Sequence, residues 1–379
     1  MNVVVLTTVH PRDDNRIFFK ENSSIAKISG VDLTAIVADG LGDENREFYE
    51  IVDLGCSRGR TYRFFVSGFK AFSLLRRFRP DVLHIHDPEL MIVGFLLSFY
   101  GVRVVFDAHE NIPEDIKDKY WIPKFLRGLI SSTYNLVEKL FVNRFSAVIA
   151  ATSNIRMRYP AHKSVLLQNY PKLEEFSDAV FDQTAVQTNN VFTVSYVGAI
   201  TVIRGIDNVV DALELLNGDA EVRFNLAGVF QQQGHLERLQ SKRGWEFVDF
   251  VGKITRDEIG AFLGASQAGI LTLLPANNHI NSQPNKLFEY MAAGLPVIAS
   301  DFPLWRELIE RYDCGYLVDP ESPESIAAAI RQVMDNPEEA KAKGLNGQRA
   351  IRSELNWEVE SKRLVDLYQR LSSEISGNS

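Results

Sequence analysis

The sequence predicts an α/β protein made of two Rossmann-like, doubly wound domains. Short, continuous apolar runs rich in Val, Ile and Leu alternate with segments of helical periodicity. A strand that is apolar along its whole length is buried on both faces, as in a parallel sheet covered by helices. The alternation runs through the first half, stops at a polar interval and starts again. At 379 residues and 45% hydrophobic, the chain is too long for one ordinary core and has apolar residues enough for two.

In order, the first half offers strands at 3–7, 33–37, 82–86, 102–106, 147–151 and 164–167, with helical segments between most of them. The interval 172–190, rich in Asp, Glu, Gln, Thr and Asn and without helical apolar periodicity, reads as a linker. Strands follow at 192–197, 222–226, 247–251, 268–273, 296–299 and 315–318. Trp357, Leu364, Leu367, Tyr368 and Leu371 then mark a final amphipathic helix. The expected organisation is a first domain at 1–171, a linker at 172–190, a second domain at 191–355, and a helix at 356–379 that packs back on the first domain. In two facing domains of this kind ligands bind at the carboxyl ends of the strands, so the expected site is the central cleft.

Composition narrows the class. No run of about 18 uncharged apolar residues occurs, and Met1 to Leu6 enters a strand pattern without a basic leader, so a cytosolic protein is expected. Cys56 and Cys314 stand far apart, outside any C-x-x-C arrangement, and imply neither a disulfide framework nor a zinc knuckle. Residues 1–171 carry 22 Lys+Arg against 19 Asp+Glu, leaving 19 against 30 for 172–379. The basic excess gathers in Arg58, Arg60, Arg63, Lys70, Arg76, Arg77 and Arg79, interleaved with Tyr62, Phe64, Phe65, Phe69 and Phe72. That is the composition of a helix lying on an anionic membrane surface, or of a solvated basic face above an ordinary apolar one. The acidic pI of 5.5 and the lack of a binding motif argue against nucleic acid.

The first strand runs into Thr7-Thr8-Val9-His10-Pro11-Arg12-Asp13-Asp14-Asn15-Arg16-Ile17-Phe18, with no glycine before Gly30, which disfavours an NAD-dependent dehydrogenase. Asp13 or Asp14 also suits a helix N-cap. His84 and His86 project to one side of their strand as a metal pair would, but spacing places no third ligand, and no metal is assigned. The most informative stretch runs from Asn281-Ser282-Gln283-Pro284-Asn285-Lys286-Leu287-Phe288-Glu289 to Gly294-Leu295-Pro296. Pro284 suits the first helical position, and Gly294 suits a left-handed stop. Open N–H groups at such a helix start bind anions; Lys286 and Glu289 beside them suit a phosphate and a sugar hydroxyl, although the same spacing serves a surface ion pair.

The string from Asn281 to Ser300 closely resembles the C-terminal signature of glycosyltransferase family 4, whose members have the GT-B fold. The Thr7–Phe18 string resembles the opening of one branch of that family, where the loop lies near acceptor and donor sugar. Phe106-Asp107-Ala108-His109 places His109 where the family contacts the donor sugar. Gly198-Ala199-Ile200-Thr201-Val202-Ile203-Arg204-Gly205 matches the diphosphate loop, with Arg204 in the place of one of two family cations and Ala199 in the place of the other. Of the family's paired glutamates Glu289, on the ribose hydroxyls, is kept, and Asn281 replaces the first.

The resemblance implies transfer of a sugar from a nucleoside diphosphate, most commonly UDP, to an acceptor hydroxyl, with retention and with neither metal nor other cofactor. His109, Arg204 and Lys286 are the expected catalytic residues. Gly198, Arg204, Asn281, Ser282, Asn285, Lys286, Leu287 and Glu289 are expected on the donor, and Arg16, His84 and His86 on the acceptor. The acceptor is expected to be a glycan or lipid-linked glycan of a bacterial surface pathway, met by a cytoplasmic protein resting on the inner face of the membrane through 58–79 and 120–127. The alternatives are a non-catalytic nucleotide-sugar-binding subunit, which Ala199 and Asn281 make thinkable, and a GT-B nucleotide-sugar epimerase.

Overall fold

The computed structural model describes residues 1–56, 59, 66–119, 122–176, 191–216 and 222–377. The chain forms two compact units, Met1–Asn169 with Glu358–Ser379, and Tyr170–Trp357.

The first unit holds an eight-stranded sheet in the order β3-β4-β2-β1-β5-β6-β7-β8. Its strands are β1 (Asn2–Leu6), β2 (Asp32–Val37), β3 (Glu44–Asn45), β4 (Glu50–Asp53), β5 (Val82–Ile85), β6 (Arg103–Ala108), β7 (Ala147–Ala150) and β8 (Ser164–Leu166). All pairs are parallel except β3 with β4. The expected strands fall in place within a few residues because their Val, Ile and Leu are buried on both faces. β3 and β4 were not expected: β3 is two polar residues at the sheet edge, and β4, between it and β2, holds only Ile51 and Val52 as apolar residues, so neither carries an apolar run long enough to read. Helices α1 (Gly68–Phe78), α2 (Met91–Ser98) and α3 (Lys124–Arg144) pack side by side over this sheet.

The second unit repeats the pattern with β9 (Phe192–Val197), β10 (Val222–Ala227), β11 (Val248–Gly252), β12 (Ala268–Leu271), β13 (Val297–Ser300) and β14 (Gly315–Val318), in the order β11-β10-β9-β12-β13-β14. Each sheet reverses direction of winding once, between β1 and β5 in the first and between β9 and β12 in the second. At such a reversal the loops leave in opposite directions and open a crevice at the carboxyl ends of the strands. Helix α4 (Asn285–Ala292) precedes β13.

Helix α5 (Trp357–Ser376) closes the chain, and Leu364, Leu367, Tyr368 and Leu371 are its buried stripe. The second unit begins at Tyr170, two residues before the linker inferred from composition, because Tyr170 packs edge-on against Phe288 at 4.7 Å and Phe176 joins the same core. Residues 177–190 of that linker lie outside the described residues, as do Arg58, Arg60, Tyr62, Arg63, Phe64 and Phe65 of the basic stretch and Tyr120 and Trp121. No described helix is long and apolar enough to cross a membrane.

Candidate active site

The second unit places its charged residues at the reversal between β9 and β12. Gly198 follows β9; its φ is +137°, and an added Cβ there would stand 2.3 Å from Lys286 Cε and 2.6 Å from Nζ. Only glycine leaves that space, and the lysine fills it by lying across the strand end. Lys286 Nζ sits 5.7 Å from the centroid of the Tyr196 ring, a cation–π distance. Burial, with Arg204 as a like charge and against the pull of Glu289, holds the ammonium below the usual lysine range. Arg204 ends a single turn, Val202–Arg204, that Gly205 closes in the left-handed conformation and that Leu274 N–H ties down by donating to Ile203 O at 2.9 Å. From there its charge acts on Tyr196, Lys286 and His279.

Pro284 is the N-cap of α4, with φ −71° and ψ 135°, and not its first helical residue as the sequence implied. A proline before the first turn costs nothing, since its missing N–H would have had no partner. Asn285 and Lys286 are then the first two helical residues, whose N–H groups have no partner within the helix, and Pro284 supplies no side-chain cap. Gly294 ends the helix region at φ +71°, as expected.

The other donor-side candidates divide. Asn281 and Asn285 are exposed. Ser282 Oγ donates to His279 O at 3.0 Å, and Ser282 O accepts from Trp305 Nε1 at 2.7 Å, which fixes the loop before the helix. The Leu287 side chain is fully buried in the core, so as a donor contact it is corrected to a packing residue: it lies on the inner face of α4. His279 was not singled out in the sequence; it is half-buried within reach of the Arg204 charge, and burial lowers its imidazole below the usual range.

The first unit gathers its titratable groups at the reversal between β1 and β5. Asp87, just after β5, accepts from Thr7 Oγ1 at 3.1 Å, from Val9 N–H at 3.2 Å and from Thr8 N–H, and so shapes the loop after β1. Asp14 caps the following helix by accepting from Ile17 N–H at 2.9 Å. His10, in the same loop, lies 3.4 Å from Asp14 Oδ2 and 3.7 Å from Asp87 Oδ1. Burial works against its charge, but the hydrogen bond to Asp14 and the charge of Asp87 prevail and raise its imidazole above the usual range. Asp14 itself is lowered to about 2: burial opposes this, and His10 and the Ile17 N–H outweigh it.

His109 emerges after β6 with one-fifth of its side chain exposed, its Nε2 3.2 Å from Asp107 Oδ2. Burial, helped by Arg16, pushes its imidazole down to about 3, so the ring is neutral. Its ring centroid is 5.4 Å from that of His10. Two neighbouring imidazoles of opposite tendency, one drawn to its proton and one kept neutral, make a pair suited to orienting and exchanging protons with hydroxyl groups. Only His109 was singled out in the sequence. The signal for His10 was its i, i+4 spacing to Asp14.

Arg16, His84 and His86, expected on the acceptor, are corrected to interior positions. Arg16 is 4% exposed, His84 0% and His86 2%. Arg16 donates to both Asp107 oxygens at 3.1 Å and to Leu167 O at 2.9 Å, and its Nε lies 2.8 Å from Glu21 Oε1. His84 Nδ1 meets the Tyr368 hydroxyl at 2.9 Å. Despite burial, Arg16 holds Asp107 well below the usual carboxylate range, whereas burial and the facing Asp107 push Glu21 well above it. Alternation along β5 turns His84 and the following His86 inward under the loop after β1.

Residues 26–165, in the first unit, match the family described as Glycosyltransferase Family 4, and residues 191–336, in the second, match Glycosyl transferases group 1. The chain therefore belongs to the group 1 glycosyltransferases of family 4, and it is a glycosyltransferase by class. It is 23% identical over 298 residues to a glycogen synthase of Mycobacterium tuberculosis, covering 77% of this chain and 69% of that one. It is 20% identical over 321 residues to an MMP alpha-(1->4)-mannosyltransferase of Mycolicibacterium hassiacum, covering 81% and 75%. Among solved structures, a sucrose-phosphate synthase from Thermosynechococcus elongatus superposes with a TM-score of 0.78 at 17% identity over 98% of this chain and 99% of that one. HepE of Anabaena, in complex with UDP and glucose, superposes with a TM-score of 0.69 at 15% identity over the full length of both. The fold is that of the GT-B glycosyltransferases.

Proposed function

We propose that this glycosyltransferase moves a sugar from a nucleoside diphosphate sugar, with UDP as the nucleotide, to an acceptor hydroxyl with retention of configuration and without a catalytic metal. The observation that carries the reading is Lys286, in the first turn of α4, lying against Gly198 within reach of the Arg204 charge, at the reversal of the second sheet. As the bond from the anomeric carbon to the β-phosphate oxygen breaks, its electron pair stays on the phosphate. Two cations and helix-start N–H groups that need no reorganisation stabilise that charge. Glu289 accepts from the ribose hydroxyls, and Asn281 and Ser282 meet the donor sugar. His109, neutral and held by Asp107, orients it. A UDP-bound neighbour of the same fold supports the choice of nucleotide.

The test is a thermal-shift panel of UDP, GDP, CDP, ADP and NAD in EDTA, since a ligand of the folded state raises its melting temperature. One nucleoside diphosphate should stabilise the wild type and fail with Lys286→Ala. Stabilisation by NAD alone, or by none, refutes the donor site, and full kcat/KM in Arg204→Ala refutes its role on the leaving group.

The acceptor we infer is a lipid-linked glycan of a bacterial surface polysaccharide, met at the inner face of the membrane. The outer side of α1, α2 and α3 supports this. Phe69, Phe99, Tyr100, Phe125, Leu129 and Leu136 are each at least 60% exposed there. Lys70, Arg76, Arg77, Lys124, Lys139 and Arg144 are exposed among them, and Glu138, the lone acid of these helices, is buried against Arg158. Apolar side chains ringed by unopposed bases, on a protein of net charge −8, are the composition of an interfacial surface. Binding to anionic vesicles should weaken with salt and with Lys124→Glu/Lys139→Glu; no binding at low salt counts against it.

A further inference from the structure

Beneath His109 lies a group of side chains of which the transfer reaction uses only Asp107, the group that holds His109. Glu21, His84, His86 and Asp107, all buried, each present a ligand atom, and these atoms lie within 4.8 Å of one another. The sequence pairs His84 with His86 but places no third ligand; the helix after β1 brings Glu21 to them. Glu21 Oε2 stands 3.8 Å from His84 Nε2 and 4.0 Å from His86 Nε2. None of these three atoms has a hydrogen-bond partner. Buried polar atoms are nearly always satisfied, and three that face one another call for something between them.

The surroundings are those of a ligand set. The remaining nitrogen of each histidine is held: His84 Nδ1 by the Tyr368 hydroxyl at 2.9 Å, and His86 Nδ1 by Asp107 Oδ2 at 3.3 Å. Such partners fix the tautomer and aim Nε2 at a metal. Two imidazoles and a carboxylate suit zinc, whose bonds of about 2.0–2.2 Å separate tetrahedral ligands by roughly 3.3–3.6 Å, slightly closer than the distances here. Charge points the same way. Arg16 offsets one of Glu21 and Asp107, so with both ionised the contacting groups are left one negative charge in excess, to be met by a proton on Glu21 or by a cation.

We propose that His84, His86 and Glu21 bind a divalent metal ion, zinc by their chemistry, as a structural tie within the first unit. It joins the helix after β1 to β5 and, through Tyr368, to α5. The ligands are inaccessible, so the ion enters during folding and survives brief exposure to chelator.

The test is elemental analysis of tag-free protein produced in zinc-supplemented medium and desalted through EDTA, with a cobalt-grown sample for its visible ligand-field absorption. One zinc per chain and a tetrahedral cobalt spectrum are expected, and Glu21→Gln and His86→Gln should lose both, whereas Lys286→Ala keeps them. Should the ligand variants fail to fold, wild-type protein refolded from urea with zinc should melt higher than protein refolded with EDTA. Metal-free wild type from both production and refolding overturns the proposal and leaves the proton on Glu21. Metal retained equally by wild type and ligand variants also overturns it.

Discussion

The two units meet their charges in opposite ways. In the first, Arg16 is enclosed and engages Asp107, Leu167 O and Glu21, so its charge is spent inside the protein. In the second, Lys286 and Arg204 have no ion pair or hydrogen bond among the described residues, and Lys286 stands in the first turn of α4. A paired buried cation holds a fold together, and an unpaired half-buried one is prepared to receive an anion. Both arise at the same topological place, the reversal of a parallel sheet, so topology marks where chemistry gathers and pairing tells which kind it is.

Exchanging the two patterns gives the sharpest tests. Arg16→Leu should cost about 3–5 kcal/mol of stability, because it leaves buried carboxylates facing one another. Urea unfolding measures it, and a loss below 1 kcal/mol, roughly the value of a surface pair, would break the comparison. Lys286→Ala should do the reverse, lowering kcat/KM by about 10²–10³, or about 2.7–4 kcal/mol, while the melting temperature stays near that of the wild type. A large stability loss there would mean that the lysine serves the fold.

A smaller effect separates His10 from the buried network. The folded value of Asp14, about 2, lies below its ordinary 3.8, so the group stabilises the fold above pH 3.8 and loses that contribution as pH falls towards 2. Asp14→Asn should remove at most about 2 kcal/mol at neutral pH and flatten the acid limb of stability against pH. His10 has the opposite sign: its raised value stabilises the fold below pH 6.5 and the benefit fades as pH rises through that value. Imidazole NMR should show His10 titrating lower in Asp14→Asn; an unmoved titration would separate the two residues. Smallest of all, Tyr368→Phe should cost about 1 kcal/mol, the worth of one buried hydrogen bond, with transfer unaffected.

The strands with continuous Val, Ile and Leu were legible because burial on both faces writes itself into composition. The short strands β3 and β4, at and next to the sheet edge, were not, since a partly solvated edge needs no apolar run. In the candidate site, the helix start that carries Lys286 and the stop at Gly294 were legible through local chemistry, a proline before a helix and a glycine after it, whereas Gly198 was pointed out by the family resemblance. Leu287 was misplaced because its neighbours are site candidates while its own side chain turns into the core. His10 was missed because its partners, Asp14 excepted, come from β5 and β6.

By itself the sequence determined the α/β class, two parallel sheets, the helix start that carries Lys286, and membership of a glycosyltransferase family. These rest on interactions between residues near in the chain, where spacing is information. The tertiary structure decided that Arg16, His84 and His86 lie inside, that His109 rests on Asp107, and that Glu21 faces two histidines 63 and 65 positions away. Burial and pairing depend on which distant segments are brought together, and a side chain's charge acquires its role only when that company is known.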